Sequence, residues 1–208
     1  MRSLIALITG LAIAVTLSAC QKPGASAVTA DDMSLGNPSA KVTVIEYASV
    51  SCPFCAKWYN ETFPAFKTKY IDTGKIHYVA REALTGEPPG LAAAGFLTAR
   101  CAGKDKYFQV IDALYHQQEA AQSGQARAVL LNIARSVGMT DAQFDACIND
   151  EKALNALSDR WDHYVKDNGI NSTPTFVING KVFDKGGMTL AEMDAAIAEA
   201  EAAKKTGS

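Results

Sequence analysis

The sequence predicts an α/β protein in which a mixed central sheet, flanked by helices, is interrupted by a long all-helical insertion. Three observations carry this. Two β-rich runs, residues 41–48 and 75–82, flank a stretch with helical periodicity. From about residue 88 to 168 the apolar spacing is helical throughout. A third β-rich run, 175–184, is split by Asn179-Gly180 and followed by a last helical pattern. The expected divisions are an export signal of lipoprotein type over 1–19, a tether and entry segment over 20–40, a sheet domain in two parts (41–86 and 169–208) and an inserted helical domain over 87–168.

At 208 residues the chain can bury a proper core without needing disulfides merely to fold. Its formal net charge is −2 and its basic residues are scattered, so nucleic acid is not an expected partner.

The chain opens with Arg2, then "LIALITGLAIAVTL", an apolar core short for a membrane span, then "LSAC". This reads as a bacterial export signal, which places the mature chain outside the cytosol. Two processing sites compete. Leu17, Ser18, Ala19 and Cys20 resemble a lipobox, in which Cys20 becomes an acylated first residue; ordinary cleavage after "ASA" (25–27) is the alternative. The second lies far from the apolar core, so lipidation is favoured, and it would tether the body to a membrane surface. "QKPGASAVTADDMSLGNPSA" is small, polar and without periodicity, as a tether would be.

"KVTVIEYA" (41–48), dense in β-branched and aromatic residues, predicts a mostly buried strand. From Pro53 to about Ile71, Trp58, Phe63, Phe66 and Tyr70 share a helical face, with a kink expected at Pro64. "KIHYVARE" (75–82) predicts a second strand, parallel to the first across the helix. In the helical block the inward faces are expected at Leu91, Ala94, Leu97 and Cys101; at Val129, Ile133 and Val137; at Phe144, Cys147 and Ile148; and at Leu154, Leu157, Trp161 and Val165. Thr140 with Gln143, and Thr189 with Glu192, form capping-box patterns. The last helix should turn Leu190, Met193, Ile197 and Ala200 inward.

Setting Cys20 aside leaves Cys52, Cys55, Cys101 and Cys147, an even number suited to an oxidising compartment. The closeness of Cys52 to Cys55 leaves Cys101 for Cys147 as a structural disulfide. A four-residue ring is a weak staple, worth about 2 kcal/mol on the chain-entropy model, against about 4 kcal/mol for the longer loop. The close pair therefore has another use. Zinc would need further ligands at suitable spacing, and His77, His116 and His163 sit in unrelated segments. Haem attachment needs His after the second cysteine, where Ala56 stands. No metal or organic cofactor is expected. A cysteine opening a helix faces unpaired N–H groups and the positive end of the dipole, which favours its thiolate. Pro53 suits the first helical turn. Cys52 is then the candidate nucleophile, and Cys55, one turn deeper, closes the ring onto it, making a reversible two-electron exchange with partner thiols.

"VTVIEYASVSCPFC", followed much later by "STPTF", resembles the DsbA-like thiol oxidases of the thioredoxin superfamily over about residues 35–203. The resemblance implies a thioredoxin-like fold with an inserted helical domain. It implies that Pro174 is a cis-proline facing the sulfurs, that Thr173 lends backbone hydrogen bonds to a bound peptide, and that Glu46 is a buried acid relaying a proton for Cys55. It also implies a quinone-linked membrane oxidase as recycling partner. The best-known members carry His between the cysteines, whereas this chain has Phe54, so a milder oxidant is expected.

The function expected is introduction of disulfide bonds into reduced, unfolded secreted proteins, in the periplasm or cell envelope. A reductase or isomerase using the same site is the nearest alternative, and a non-catalytic binding or holdase lipoprotein a more distant one. The short stretch between Cys20 and the first strand leaves no room for the dimerisation domain of the superfamily's isomerases, so a monomer is expected.

Overall fold

The structure, a computed structural model, describes residues 27–88 and 90–206. The expected export signal, Cys20 and the first part of the expected tether lie outside the described residues.

Five strands form one mixed sheet, in the order β1-β3-β2-β4-β5. At its centre β2 (Val42–Ala48) runs parallel to β3 (Ile76–Glu82), with Val42 opposite Ile76 and Ala48 opposite Glu82. Both faces of β2 are covered, which is why it reads as a nearly continuous apolar run. Val44 and Ala48 join the main core, whereas Ile45 and Tyr47 pack with Val79, Val177 and Tyr164 on the other side. Glu46 has the parity of Val44 and Ala48, so strand alternation points it into the main core. β4 (Thr175–Ile178) pairs antiparallel with β2, and β5 (Lys181–Phe183) antiparallel with β4. The turn between them holds Asn179 at φ +46° and Gly180 at φ +90°, as a tight hairpin requires.

The tether expectation needs correcting. Within it, β1 (Met33–Gly36) pairs antiparallel with β3 as an edge strand. Just before β1, the Asp32 carboxylate takes two 3.0 Å hydrogen bonds from the buried Arg81 guanidinium. That guanidinium also donates to the Tyr47 hydroxyl at 2.6 Å and lies over the Tyr47 and Tyr164 rings. Four residues on a sheet edge leave no periodic signature, and an ion pair across 49 positions leaves none at all.

α1 (Pro53–Glu61) follows β2 and buries Cys55, Ala56, Trp58 and Tyr59. The helix is interrupted at Thr62 (φ −107°), two residues before Pro64, which has no N–H to return to the preceding turn. The chain resumes as α2 (Phe63–Phe66) and widens into a π-helical turn over Lys67–Ile71. Trp58, Phe63, Phe66 and Tyr70 all lie in the main core.

Between β3 and β4 the chain forms α3 (Leu91–Cys101), α4 (Lys104–His116), the short α5 (Gln118–Ala120) with a kinked turn over Ala121–Gln125, α6 (Ala126–Ser136), α7 (Asp141–Ile148) and α8 (Glu151–Asn168). α4, which has no inward face among those expected above, buries Tyr107, Val110, Ile111, Leu114 and Tyr115. The expected face of α8 also needs correcting. Its inward stripe runs through Leu157, Trp161 and Tyr164, leaving Leu154 and Val165 at its solvent edge. The helix lies against the second face of the sheet, so the aromatic pair decides which side turns inward.

Cys101 and Cys147 form a disulfide joining α3 to α7 across 46 positions. Cys147 is buried, whereas Cys101, last residue of its helix, is exposed rather than inward-facing. Thr140 and Gln143 form a reciprocal capping box at the start of α7. α9 (Leu190–Thr206) opens with Thr189 and Glu192 hydrogen-bonded in the same way, and its Met193 and Ile197 close the main core.

Candidate active site

Past Ala48 the chain leaves the sheet and must turn into α1. Ser49 organises this turn: its carbonyl accepts from the Cys52 N–H at 3.0 Å, and its hydroxyl accepts from the Ser51 N–H at 3.2 Å while donating to the Thr85 carbonyl at 2.5 Å. Cys52 is the N-cap of α1 with extended backbone (φ −91°, ψ 118°), and Pro53 occupies the first helical turn. In place of the usual capping oxygen, the Cys52 sulfur accepts the Cys55 N–H at 3.4 Å.

This geometry brings the Cys52 thiol down from 9.0 to about 6. The largest cause is the hydrogen bond from the Cys55 thiol. The Thr173 side chain and the backbone N–H groups of Cys55 and Phe54 add to it, and partial burial opposes it. The Thr173 carbonyl, 3.4 Å from the sulfur, can accept only from the protonated thiol. At neutral pH roughly nine-tenths of such a group is thiolate, against a few per cent of an unperturbed cysteine. Cys52 and Cys55 are not bonded to each other in this structure.

Cys55 is the electrostatic opposite. It is fully buried, and burial holds its thiol well above the ordinary value, reinforced by its hydrogen bond to Cys52 and by the nearby charges of Cys52 and Glu46. Glu46 lies beneath it at the centre of the sheet. Burial pushes its carboxyl from 4.5 up to about 8, with the Cys52 charge adding to the rise and a hydrogen bond from the Tyr78 hydroxyl opposing it. Its other oxygen, Oε1, has no protein partner. The carboxyl borders a cavity of about 20 Å³, which is shared with Tyr59, Tyr78, Tyr107 and Tyr115. That is room for about one water.

The chain returns to the sulfurs at β4. The Thr173-Pro174 peptide is cis, Pro174 is buried, and the Thr173 and Thr85 hydroxyls lie 3.4 Å apart. Phe54 stands 71% exposed beside the pair and is the most exposed large apolar side chain of the described residues. The structure thus brings Glu46, Cys52, Pro53, Phe54, Cys55, Thr173 and Pro174 to one end of β2, and keeps the Cys101–Cys147 disulfide apart on α3 and α7. Among the described residues no three His, Cys, Asp or Glu side chains converge as a metal would need.

Sequence reasoning missed several residues of the site. Tyr78 could have been found: with parallel strands in register, it sits opposite Val44 and next to Glu46 on the same face. Gln118 and Gln122 gave no signal. Their side-chain amides reach the loop from the helical block, 66 to 71 positions away.

Comparison with known proteins agrees with this geometry. The model of the thioredoxin family matches residues 28–199. A Rickettsia bellii protein named "Putative protein-disulfide oxidoreductase" is 35% identical over 152 residues, 72% of this chain and 58% of that one. The chain thus spans a little over half the length of the curated relatives it matches. Of solved structures, Wolbachia pipientis alpha-DsbA1 superposes with a TM-score of 0.74 at 26% identity, over 85% of this chain and 94% of that one. Oxidised BdbD from Bacillus subtilis shares the fold, with a TM-score of 0.71 at 20% identity over 81% of this chain and 92% of that one. No helix among the described residues is long and apolar enough to cross a membrane.

Proposed function

Since this chain belongs to the thioredoxin family, as a DsbA-like member with an inserted helical domain, we propose that it is an exported thiol:disulfide oxidoreductase that introduces disulfide bonds into secreted proteins. One observation carries the reading: a helix-capping Cys52 thiol brought down to about 6 beside a Cys55 thiol held well above its ordinary value. Opposite shifts in adjacent groups divide the roles of attack and resolution between them.

Starting from the 52/55 disulfide, a substrate thiolate attacks the Cys52 sulfur. A substrate–Cys52 bond forms and the Cys52–Cys55 bond breaks, its electron pair leaving on Cys55. In this reading Glu46, protonated at neutral pH, supplies the proton that the buried Cys55 thiolate needs. A second substrate thiolate then attacks its own sulfur in the mixed disulfide and expels Cys52 as a stabilised thiolate. The substrate has lost two electrons and the 52/55 pair has gained them. In this reading Thr173 and Pro174 shape the peptide site, with Phe54 as an exposed apolar contact, Pro53 sets the first turn of α1, and Cys101–Cys147 is purely structural. Residues 87–168 form the inserted domain. The protein is a monomer in the periplasm or cell envelope, anchored through Cys20. A quinone-linked membrane oxidase takes the two electrons from the reduced pair and so restores its disulfide.

A thiolate leaving group stabilised by the fold favours the dithiol form, and each tenfold gain raises the reduction potential by about 30 mV. Equilibrating the pair against glutathione tests the direction. A potential well above thioredoxin's, about −270 mV, is expected. Phe54 favours a second reading, a reductase, since it offers the thiolate no charge-assisted hydrogen bond. A potential at or below thioredoxin's would replace the oxidase with that reading.

A further inference from the structure

The loop 50–52 has left the sheet, yet Val50, Ser51 and Cys52 are all buried. The Val50 and Ser51 carbonyls are past the end of β2, and a buried carbonyl needs a donor. Two glutamines one helical turn apart on the inserted block supply them. Gln118, itself buried, donates from Nε2 to the Val50 carbonyl at 2.8 Å and to the Cys52 carbonyl at 3.1 Å. Gln122 donates from Nε2 to the Ser51 carbonyl at 2.8 Å and to the Glu87 carbonyl at 3.0 Å. A carboxamide nitrogen carries two hydrogens, so each side chain engages two carbonyls.

The geometry points to Gln118 and Gln122 as positioning residues for dithiol exchange, holding the loop so that the Cys52 sulfur stays where the Cys55 N–H can reach it. This inference rests on the reading of the pair given above. The Cys52 carbonyl is also the acceptor for the Ala56 N–H at 3.0 Å, a bond of the first turn of α1, so Gln118 grips the chain where the capping sulfur begins. A donor on that carbonyl also offsets partial negative charge beside the thiolate. The grip extends across the site mouth: Gly86, at φ +99°, packs so closely on Ser51 that an added Cβ would lie 2.6 Å from the Ser51 carbonyl oxygen. Gln122 ties that carbonyl to the same segment, through the Glu87 carbonyl next to Gly86. Although it lies some seventy positions along the chain, the helical block thereby reaches the loop that carries the sulfur through two amides.

The test uses Gln118→Met and Gln122→Met, which keep length and remove the donors, with two readouts on the whole chain. One is the pH midpoint for alkylation of Cys52 by iodoacetamide. The other is the equilibrium in which the 52/55 disulfide and two glutathiones give the dithiol and one glutathione disulfide. In Q118M the midpoint should rise and the equilibrium should move toward the 52/55 disulfide by about fivefold, the size of one net hydrogen bond. Q122M should move both in the same direction by less. Folded variants with the wild-type midpoint and equilibrium would reduce the glutamines to structural satisfiers and overturn the inference; should Q118M not fold, Q122M decides. If wild-type protein does not exchange with glutathione at all, the functional reading fails, while the alkylation midpoint still judges the clamp.

Discussion

Glu46→Gln probes the electrostatics of the site through stability alone. In the folded protein the carboxyl is raised from 4.5 to about 8, chiefly by burial, whereas in the unfolded chain it ionises near its ordinary value. Below about pH 4.5 both states hold the proton and the buried carboxyl carries no ionisation penalty. Between there and about pH 8 the unfolded state ionises while the folded state does not, so wild-type stability falls by about 1.4 kcal/mol per pH unit. Above about 8 the loss is complete, at about 4 to 5 kcal/mol. Gln has no such proton and can still accept from Tyr78. The stability of E46Q minus that of wild type should therefore be flat in acid, climb through neutral pH and level off near 8. Every other titrating group is common to both proteins and largely cancels. Urea melts of both dithiol forms from pH 4 to 9 at fixed ionic strength give the curve. A difference that stays constant from pH 4.5 to 8 would mean that Glu46 ionises normally where it sits, and the account of its burial would be wrong.

Alkylation of Cys52 should titrate with a midpoint of about 6 while Cys55 stays unreactive; a midpoint near the unshifted 9.0 would remove the helix-cap argument. The sign of the associated stability is opposite to that of Glu46: a lowered thiol stabilises the folded dithiol form above the unfolded value, and this is lost as pH falls through about 6. Asp32→Ala strips the carboxylate from the buried Arg81 charge and should cost about 3 to 5 kcal/mol in a urea melt; a loss below 1 kcal/mol, the scale of a surface pair, would mean that the N-terminal arm is not locked in this way. Replacing both Cys101 and Cys147 by Ala should cost about 4 kcal/mol of stability through the 46-position closure, read as a lower urea midpoint against the oxidised parent.

The elements with strong local periodicity were legible without the fold. The β2 and β3 runs, the Asn179-Gly180 hairpin and the Thr140 and Thr189 caps depend on neighbours a few residues away, so local pattern suffices to place them. The same holds for Cys52 at the mouth of a helix, where "SCPFC" itself specifies the cap and the proline. Edge strand β1, the inward side of α8 and the tyrosines that helices bring around Glu46 were not legible in this way. Each is decided by which distant surface the segment meets: β3 for Met33–Gly36, the far face of the sheet for Trp161 and Tyr164, the Cys55 side of the core for Tyr115. Gln118 and Gln122 are the extreme case, since nothing in "QQEAAQ" marks a side chain that will bind carbonyls 66 to 71 positions away. Sequence by itself determined where a thiol could be made acidic, because helix dipoles and caps are local. Tertiary structure alone decided how its surroundings are held, because burial and the pairing of stranded polar groups depend on what packs against them.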